Sequence, residues 1–354
     1  MAEKSFHEQE KINNIIKLRT YLAELPPYVT DYCRGRETTQ TARTQISYAY
    51  DFKTFFWFLT TANPEFKDKK IREIPLNYLD KLAPTDIEEY LEFLKCYQHP
   101  VTGNTVTNDL PGISRKLSSL RSLFTYLHRH GMINQDPTAL VDTPKLHEKE
   151  IIQLDPDEVA IMLDYMEECG ANISSHRKAY YQKTIIRDLA VVTLLLGTGI
   201  RVSECVGLDI NDVDFKNDGI RIIRKGGNEM MVYFGSEVET ALLNYLEIRE
   251  AIVPLPGHEN ALFLSMQKRR ISTDAVENVV KKYSKASIPH KNITPHKLRS
   301  TYGTALYQET GDIYLVADVL GHSDVNTTKK HYAKTGDARR RQAASAVSLR
   351  ESKE

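Results

Sequence analysis

Cysteine is scarce in this 354-residue chain: four residues, Cys33, Cys96, Cys169 and Cys205, lie far apart. None has the spacing of a metal-ligand pair, so a disulfide scaffold and a zinc module are both excluded and buried reduced thiols are expected. Long hydrophobic runs are absent too. The most apolar stretch, Leu189 to Leu196, falls far short of the roughly 20 residues a membrane span requires. Met1 to His7 carry no apolar signal-peptide core, so a cytoplasmic protein without membrane attachment is expected. Internal repeats, low-complexity segments, a phosphate-cradling Walker loop and a carboxylate cluster suited to a metal are all missing. Net charge is missing as well, with 47 Lys and Arg against 47 Asp and Glu.

Zero net charge excludes only a uniformly basic protein, because a polyanion responds to local surface rather than to the sum. Residues 281–301 hold six Lys or Arg and no acid, residues 329–341 hold six against Asp337 alone, and residues 155–168 hold six acids and no base. Each run alone fits a solvated helix face. Together, the two basic runs surround the candidate catalytic residues described below.

The length favours two domains. Residues 1–38 read as a polar, partly helical arm. From 39 to 146 the periodicity is helical: Ile46, Ala49, Phe52, Phe56 and Leu59 form one stripe, with Gln40, Thr44, Ser47 and Asp51 opposite. A second stripe, Ile113, Leu117, Leu120, Phe124 and Leu127, stops before Gly131. The stretch from Cys96 to Gly112, rich in Pro and Gly, reads as a loop. A charged linker at 147–154 precedes a helix start at Asp155-Pro156-Asp157-Glu158. Residues 155–338 read as a second, mostly helical domain with one small sheet, and 339–354 as a tail. Val213–Phe215, Gly219–Arg224 and Glu229–Phe234 are the expected strands, the last two joined by Lys225-Gly226-Gly227-Asn228. The fold class is therefore mainly α (α+β): a helical bundle followed by a helical domain with a three-stranded antiparallel sheet.

Four pieces of the second domain carry chemistry-bearing side chains. Arg201 follows the break at Thr198-Gly199 and opens a helix, where its guanidinium and nearby N–H groups can meet one anion; alternatively it pairs with Glu204 and braces the loop. Thr294-Pro295 supplies a helix start, which puts His296 and Arg299 at i and i+3 on one face. A proton-transfer group and a bidentate phosphate binder then face the same ligand. Asp312 to Leu320 form a helix ending at Gly321, directly before His322. Tyr332 follows amid Lys329, Lys330, His331 and Lys334, a more polar and basic setting than those of Tyr302, Tyr307 and Tyr314, whose helical spacing suits packing. Lys225 sits at the hairpin tip. Two arginines, a lysine, two histidines and a tyrosine suit attack on a phosphodiester by a tyrosine hydroxyl.

These segments, GTGIRVSECVGL at 197–208, RKGGNE at 224–229 and HKLRSTYGTALYQETGDIYLVADVLGHSDVNTTKKHY at 296–332, resemble the tyrosine recombinase (phage integrase) family, and more closely its Xer-like bacterial members. TARTQISYAYDFKTFFWFL at 41–59 and RKLSSLRSLFTYLHRHGMINQDPT at 115–138 are similar to the family's core-binding domain. The resemblance implies that Tyr332 attacks the scissile phosphorus, leaving a 3′-phosphotyrosyl link and a free 5′-hydroxyl. It implies that Arg201 and Arg299 neutralise the non-bridging oxygens, Lys225 is the general acid, His296 assists proton transfer and His322 hydrogen-bonds the phosphate. Glu204 would act as a brace. Where many relatives carry histidine after the second arginine, this chain has Ser300.

A tyrosine hydroxyl with a pKa of about 10 needs nearby cations and a proton acceptor to act at neutral pH. The phosphotyrosine conserves the bond energy, so neither metal nor nucleotide cofactor is expected. The resemblance further implies double-stranded DNA as partner, a two-domain clamp, and four protomers joining two sites through a Holliday junction. It admits a second recombinase or a DNA translocase as additional partners. Chromosome dimer resolution and mobile-element integration or excision both use this chemistry, and the Xer-like segments favour chromosome maintenance. A type IB topoisomerase-like relaxing enzyme is the alternative with the same residues; a non-catalytic DNA-binding protein would be expected to have lost part of the set.

Overall fold

A computed structural model describes residues 5–62, 66, 69–146, 152–168, 175–224, 227–321, 325 and 328, with backbone alone for 175–183. The chain divides into two compact units, Met1–Lys149 and Glu150–Glu354.

The first unit contains α1 (Phe6–Glu24), α2 (Pro27–Gly35), α3 (Ala42–Ala62), α4 (Leu76–Leu79), α5 (Pro84–Lys95), the hairpin β1 (Cys96–Gln98) and β2 (Thr105–Thr107), and α6 (Leu110–Arg129). Helix α1 begins with a reciprocal cap in which Glu8 N–H donates to Ser5 Oγ at 3.3 Å and Ser5 N–H to Glu8 Oε2 at 2.9 Å. Residues 5–38 are not a separate polar arm. Leu18, Leu25, Tyr28, Val29 and Tyr32 are buried in one core with Phe52, Phe55, Phe56, Leu117 and Phe124. Tyr32 packs edge-on to both Phe52 and Tyr126, and its hydroxyl lies 2.7 Å from Ser122 Oγ. The arm reading failed because the buried positions of α1 are few and its exposed ones dominate the composition.

Two further expectations change. The 96–112 loop contains a two-stranded antiparallel hairpin, with Tyr97 opposite Val106, and α6 already starts at Leu110. Asp51 is not on a solvated face: it is 2% exposed and accepts from Arg115 Nη2 at 2.7 Å and from buried Lys116 Nζ at 3.2 Å. Helix α3 packs against α1, α5 and α6, so more than one of its faces is covered and a carboxylate there must be paired.

The second unit contains α7 (Pro156–Glu168), α8 (Ser175–Thr198), α9 (Val202–Gly207), β3 (Val213–Asp214), β4 (Gly219–Ile223), β5 (Glu229–Tyr233), α10 (Ser236–Glu250), α11 (Thr273–Ser287), α12 (Pro295–Thr310) and α13 (Ile313–Leu320). The apolar run predicted from the sequence is the centre of α8: Ala190, Val191, Val192, Leu194 and Leu195 are fully buried, enclosed by α7, α10 and α12. A helix apolar on every side belongs inside a unit. The expected three-stranded antiparallel sheet is present, with Ile220 opposite Val232 and Ile223 opposite Glu229. Ile220, Ile222 and Val232 turn inward while Arg221 faces out, the period of two that a half-buried sheet imposes.

Residues 152–154, expected within the linker, are docked on the second unit; residues 147–151 lie outside the described part. Leu154 is buried and its N–H donates to Thr301 Oγ1 at 2.9 Å. Cys33 and Cys205 are buried as expected, whereas Cys96 is exposed on β1; Cys169 lies outside the described residues. Among the described residues no helix is long and apolar enough to cross a membrane.

Candidate active site

The site is built where two helix ends meet. Helix α8 ends at Thr198 and the chain reverses through Gly199, at φ +63°, into the short helix α9. Gly199 is required twice over: its φ is left-handed, and a Cβ there would lie 2.4 Å from Tyr302 Cδ1. Two residues on, Arg201 caps α9. Glu204 accepts from the Arg201 backbone N–H at 2.8 Å and from its Nη1 at 2.8 Å. The Glu204 side chain is 4% exposed and that of Arg201 37%. The carboxylate therefore fixes the guanidinium from behind while the arginine keeps an open face for an anion. The pairing with Glu204 offered by the sequence is present, and it leaves the Arg201 side chain partly exposed.

Arg299 reaches the same junction from α12. That helix starts at Pro295 as expected, but the Thr294 hydroxyl makes no cap; the first turn is closed by Lys297 N–H to the Thr294 carbonyl at 2.8 Å. Arg299 is 4% exposed. Its Nη1 donates to the Gly199 carbonyl at 2.6 Å and its Nη2 to the Leu320 carbonyl. His296, one turn earlier, is exposed at the beginning of α12.

The carbonyl of Leu320 belongs to the end of α13, which leaves the helix through Gly321 at φ +61°. Helix α13 is seated by Val316 and Leu320 on Tyr302, Leu306 and Tyr307. Its last carbonyls carry the negative end of the helix dipole, and that of Asp318 also accepts from Gly321 N–H at 2.9 Å. Arginines meet that negative end. Arg201 Nη2 donates to the Gly321 carbonyl at 3.3 Å. Arg224, at the end of β4, donates through Nη2 to the Val319 carbonyl at 2.7 Å and through Nη1 to the Asp318 carbonyl at 3.3 Å. Burial, together with the charge of Arg201, pushes the Arg224 guanidinium below its ordinary pKa, against the opposing pull of Glu204 and Asp318.

Arg201 and Arg299, two of the six candidates, are thus brought together, with His296 in the first turn of the helix that carries Arg299. Lys225, His322 and Tyr332 lie outside the described residues. Arg224 was missed from the sequence; the only signal was its position next to Lys225 at the hairpin. Among rival nucleophiles, Tyr302 is disfavoured because burial raises its hydroxyl above the ordinary value. Tyr314, expected to pack, is 71% exposed. Cys205 is excluded as a reactive thiol, since burial pushes it up to about 12.

The basic run at 281–301 is only partly available to a polyanion. Lys282 faces Asp188 at 3.6 Å, and Lys291 is held by Glu158 at 2.5 Å and Asp155 at 3.5 Å. The acidic and basic runs of the sequence meet here. Lys281 and Lys285 line, with Ser284, His290 and Asn292, an open cavity of about 320 Å³.

Fold and site together define a two-unit, mainly helical protein whose second unit concentrates arginines at converging helix ends. The model of the phage integrase family matches residues 153–339. The tyrosine recombinase XerS of Lactococcus lactis subsp. cremoris is 30% identical over 90% of this chain and 94% of its own length. The tyrosine recombinase XerC of Caldanaerobacter subterraneus subsp. tengcongensis is 31% identical over 90% of this chain and 86% of its own. The crystal structure of the XerH site-specific recombinase bound to a palindromic difH substrate, a post-cleavage complex, superimposes with a TM-score of 0.68. It covers 98% of this chain and 91% of that one at 19% identity, a likeness of fold. The chain belongs to the phage integrase family of tyrosine recombinases, enzymes that cleave and rejoin DNA strands.

Proposed function

We propose that the chain is a site-specific recombinase that cleaves duplex DNA through Tyr332 and passes strands between two sites through a Holliday junction. The observation that carries this reading is the convergence of Arg201 and Arg299 on the end of α13, the helix that leads directly into His322.

In the proposed reaction the Tyr332 oxygen bonds to the scissile phosphorus while the bond to the 5′-oxygen breaks. The tyrosine proton leaves with assistance from His296, and the departing 5′-oxygen takes a proton from the Lys225 ammonium. A 3′-phosphotyrosyl link and a 5′-hydroxyl result, and reversal with a different 5′-hydroxyl completes strand exchange. Arg201, with its open face, and Arg299, with its fork anchored on backbone carbonyls, stabilise the charge that builds on the non-bridging oxygens. A donor locked in place before the reaction spends nothing on reorganisation. His322 would add a hydrogen bond to the same phosphate. No metal or nucleotide is needed in this scheme, because the covalent link keeps the energy of the broken bond.

In the same reading, the first unit, with residues 5–38 sharing its core, is the DNA-binding unit, and the second is the catalytic unit. Four copies assemble on two sites, with residues 339–354 docking on a neighbouring copy. The Xer-type relatives support chromosome dimer resolution ahead of mobile-element integration or excision.

The test uses a nicked duplex carrying a site that the protein selects from fragments of its own genome. Wild-type protein and Tyr332→Phe are incubated with it in EDTA and resolved on denaturing gels. A covalent adduct with wild type only is the expected outcome; tight binding without an adduct in either would overturn the reading.

A further inference from the structure

We propose that Arg224 is a positioning residue that ties the β4–β5 hairpin, and with it Lys225, to the C-terminal end of α13; this rests on the functional reading above. Three observations carry it. The hairpin neck is closed at Arg224 itself: its N–H donates to the Asn228 carbonyl at 2.8 Å, and its carbonyl accepts from Gly227 N–H at 3.0 Å. Its side chain then leaves the sheet and forks across two consecutive carbonyls of α13, those of Asp318 and Val319. The fork passes close over Gly321, where a Cβ would lie 1.8 Å from Arg224 Nη1 and push the guanidinium aside.

The result is an ordered series. The carbonyls of residues 318, 319, 320 and 321 accept in turn from Arg224, Arg224, Arg299 and Arg201. Three cations gathered on one helix end repel one another, and Arg224 Nε is buried without a hydrogen-bond partner among the described residues. A tie that served only to hold the sheet in place would not need an arginine in such company. What this one accomplishes is connection. Arg224 is bonded covalently to Lys225, and the helix it grips continues covalently into His322. The same short helix end thereby holds both phosphate-binding arginines and the base of the hairpin that delivers the proton. Lysine can substitute only in part, because a single ammonium lacks the planar fork that spans adjacent carbonyls.

If Arg224 acts through Lys225, its loss should slow only the step that needs the proton. When oxygen leaves, the Lys225 N–H bond breaks and the 5′ O–H bond forms. When the 5′-bridging oxygen is replaced by sulfur, the P–S bond breaks and the thiolate departs with its electron pair, with no proton required. Adduct formation is therefore measured on the nicked duplex in its oxygen and sulfur forms, with wild type, Arg224→Ala, Arg224→Lys, Lys225→Ala and Arg201→Ala. On the oxygen duplex Arg224→Ala should be slower by about tenfold to a hundredfold, below the full range for loss of a general acid, with duplex binding nearly unchanged. On the sulfur duplex it should match wild type, as Lys225→Ala does, while Arg201→Ala stays slow on both. Arg224→Lys should be slowed less than Arg224→Ala and restored equally, and it carries the comparison should the alanine variant not fold. Equal slowing of both arginine variants on both duplexes, or no slowing on either, overturns the proposal while leaving the recombinase reading intact. Absence of any wild-type adduct removes that reading, and this inference with it.

Discussion

The Arg299 guanidinium and the Gly199 carbonyl, a hundred residues apart in the chain, meet at 2.6 Å in the interior of the second unit. Through this bond and its partner at Leu320, one buried arginine joins the turn before α9 to the end of α13. The orientation of the guanidinium is set by backbone, which no single side-chain change nearby can remove. Arg299→Lys keeps the charge and loses the fork, so adduct formation should fall by about a hundredfold or more, with duplex binding much less affected. Single-turnover cleavage beside a gel-shift titration checks the split.

Gly321 is favoured by its left-handed backbone, and a Cβ there would also displace the guanidinium beside it. Gly321→Ala should cost about 1–2 kcal/mol from the backbone alone, and more from collision with Arg224. Removing Arg224 as well relieves the second part, so Gly321→Ala with Arg224→Ala should be less destabilised than the sum of the singles by about 1 kcal/mol. Urea denaturation of the four proteins measures the coupling, and strict additivity would refute the close approach.

Asp51 in the first unit pairs with both Arg115 and buried Lys116. Asp51→Ala strands the Lys116 ammonium among Phe- and Leu-rich packing and should destabilise by about 3–5 kcal/mol. Adding Lys116→Met should recover much of that loss, because an apolar side chain needs no counter-charge. Thermal unfolding of the single and double variants decides the point.

Glu158 gives the second unit a pH dependence. Burial alone would raise its pKa, but hydrogen bonds from Lys291, the Asp155 backbone and His290 outweigh this and hold the carboxyl below its ordinary value of 4.5. A group with a lowered folded pKa contributes stability above its unfolded value and loses it as pH falls through the folded one. The stability that Glu158 contributes over Glu158→Gln should therefore persist down to near pH 4.5 and shrink on further acidification. Urea midpoints across that range provide the measurement.

Much of this was legible along the chain. Lys225-Gly226-Gly227-Asn228 announced a hairpin, and the Thr198-Gly199 break and the Gly321 stop bounded α8 and α13. Arg201 and Arg299 were legible as candidates because helix starts and family motifs are local, and both reach the end of α13. Asp51 was misread because one helix seen alone has a single apolar face, whereas α3 is covered by three neighbours. Residues 5–38 were misread because a segment that contributes only a narrow stripe to a shared core looks polar in composition.

By itself, the sequence determined which segments are helix or strand, where the chain turns, the family to which it belongs, and which side chains carry charge. These depend on near-neighbour periodicity, glycine and proline, and motifs that are contiguous. Only the tertiary structure decided where those charges point. The partners of these arginines at the end of α13 are backbone carbonyls from 21 to 120 residues away. Every residue carries the same carbonyl, so residue identity cannot mark which ones an arginine will find. That is why Arg224 went unread in the sequence and stands out once α13 is packed beside the hairpin.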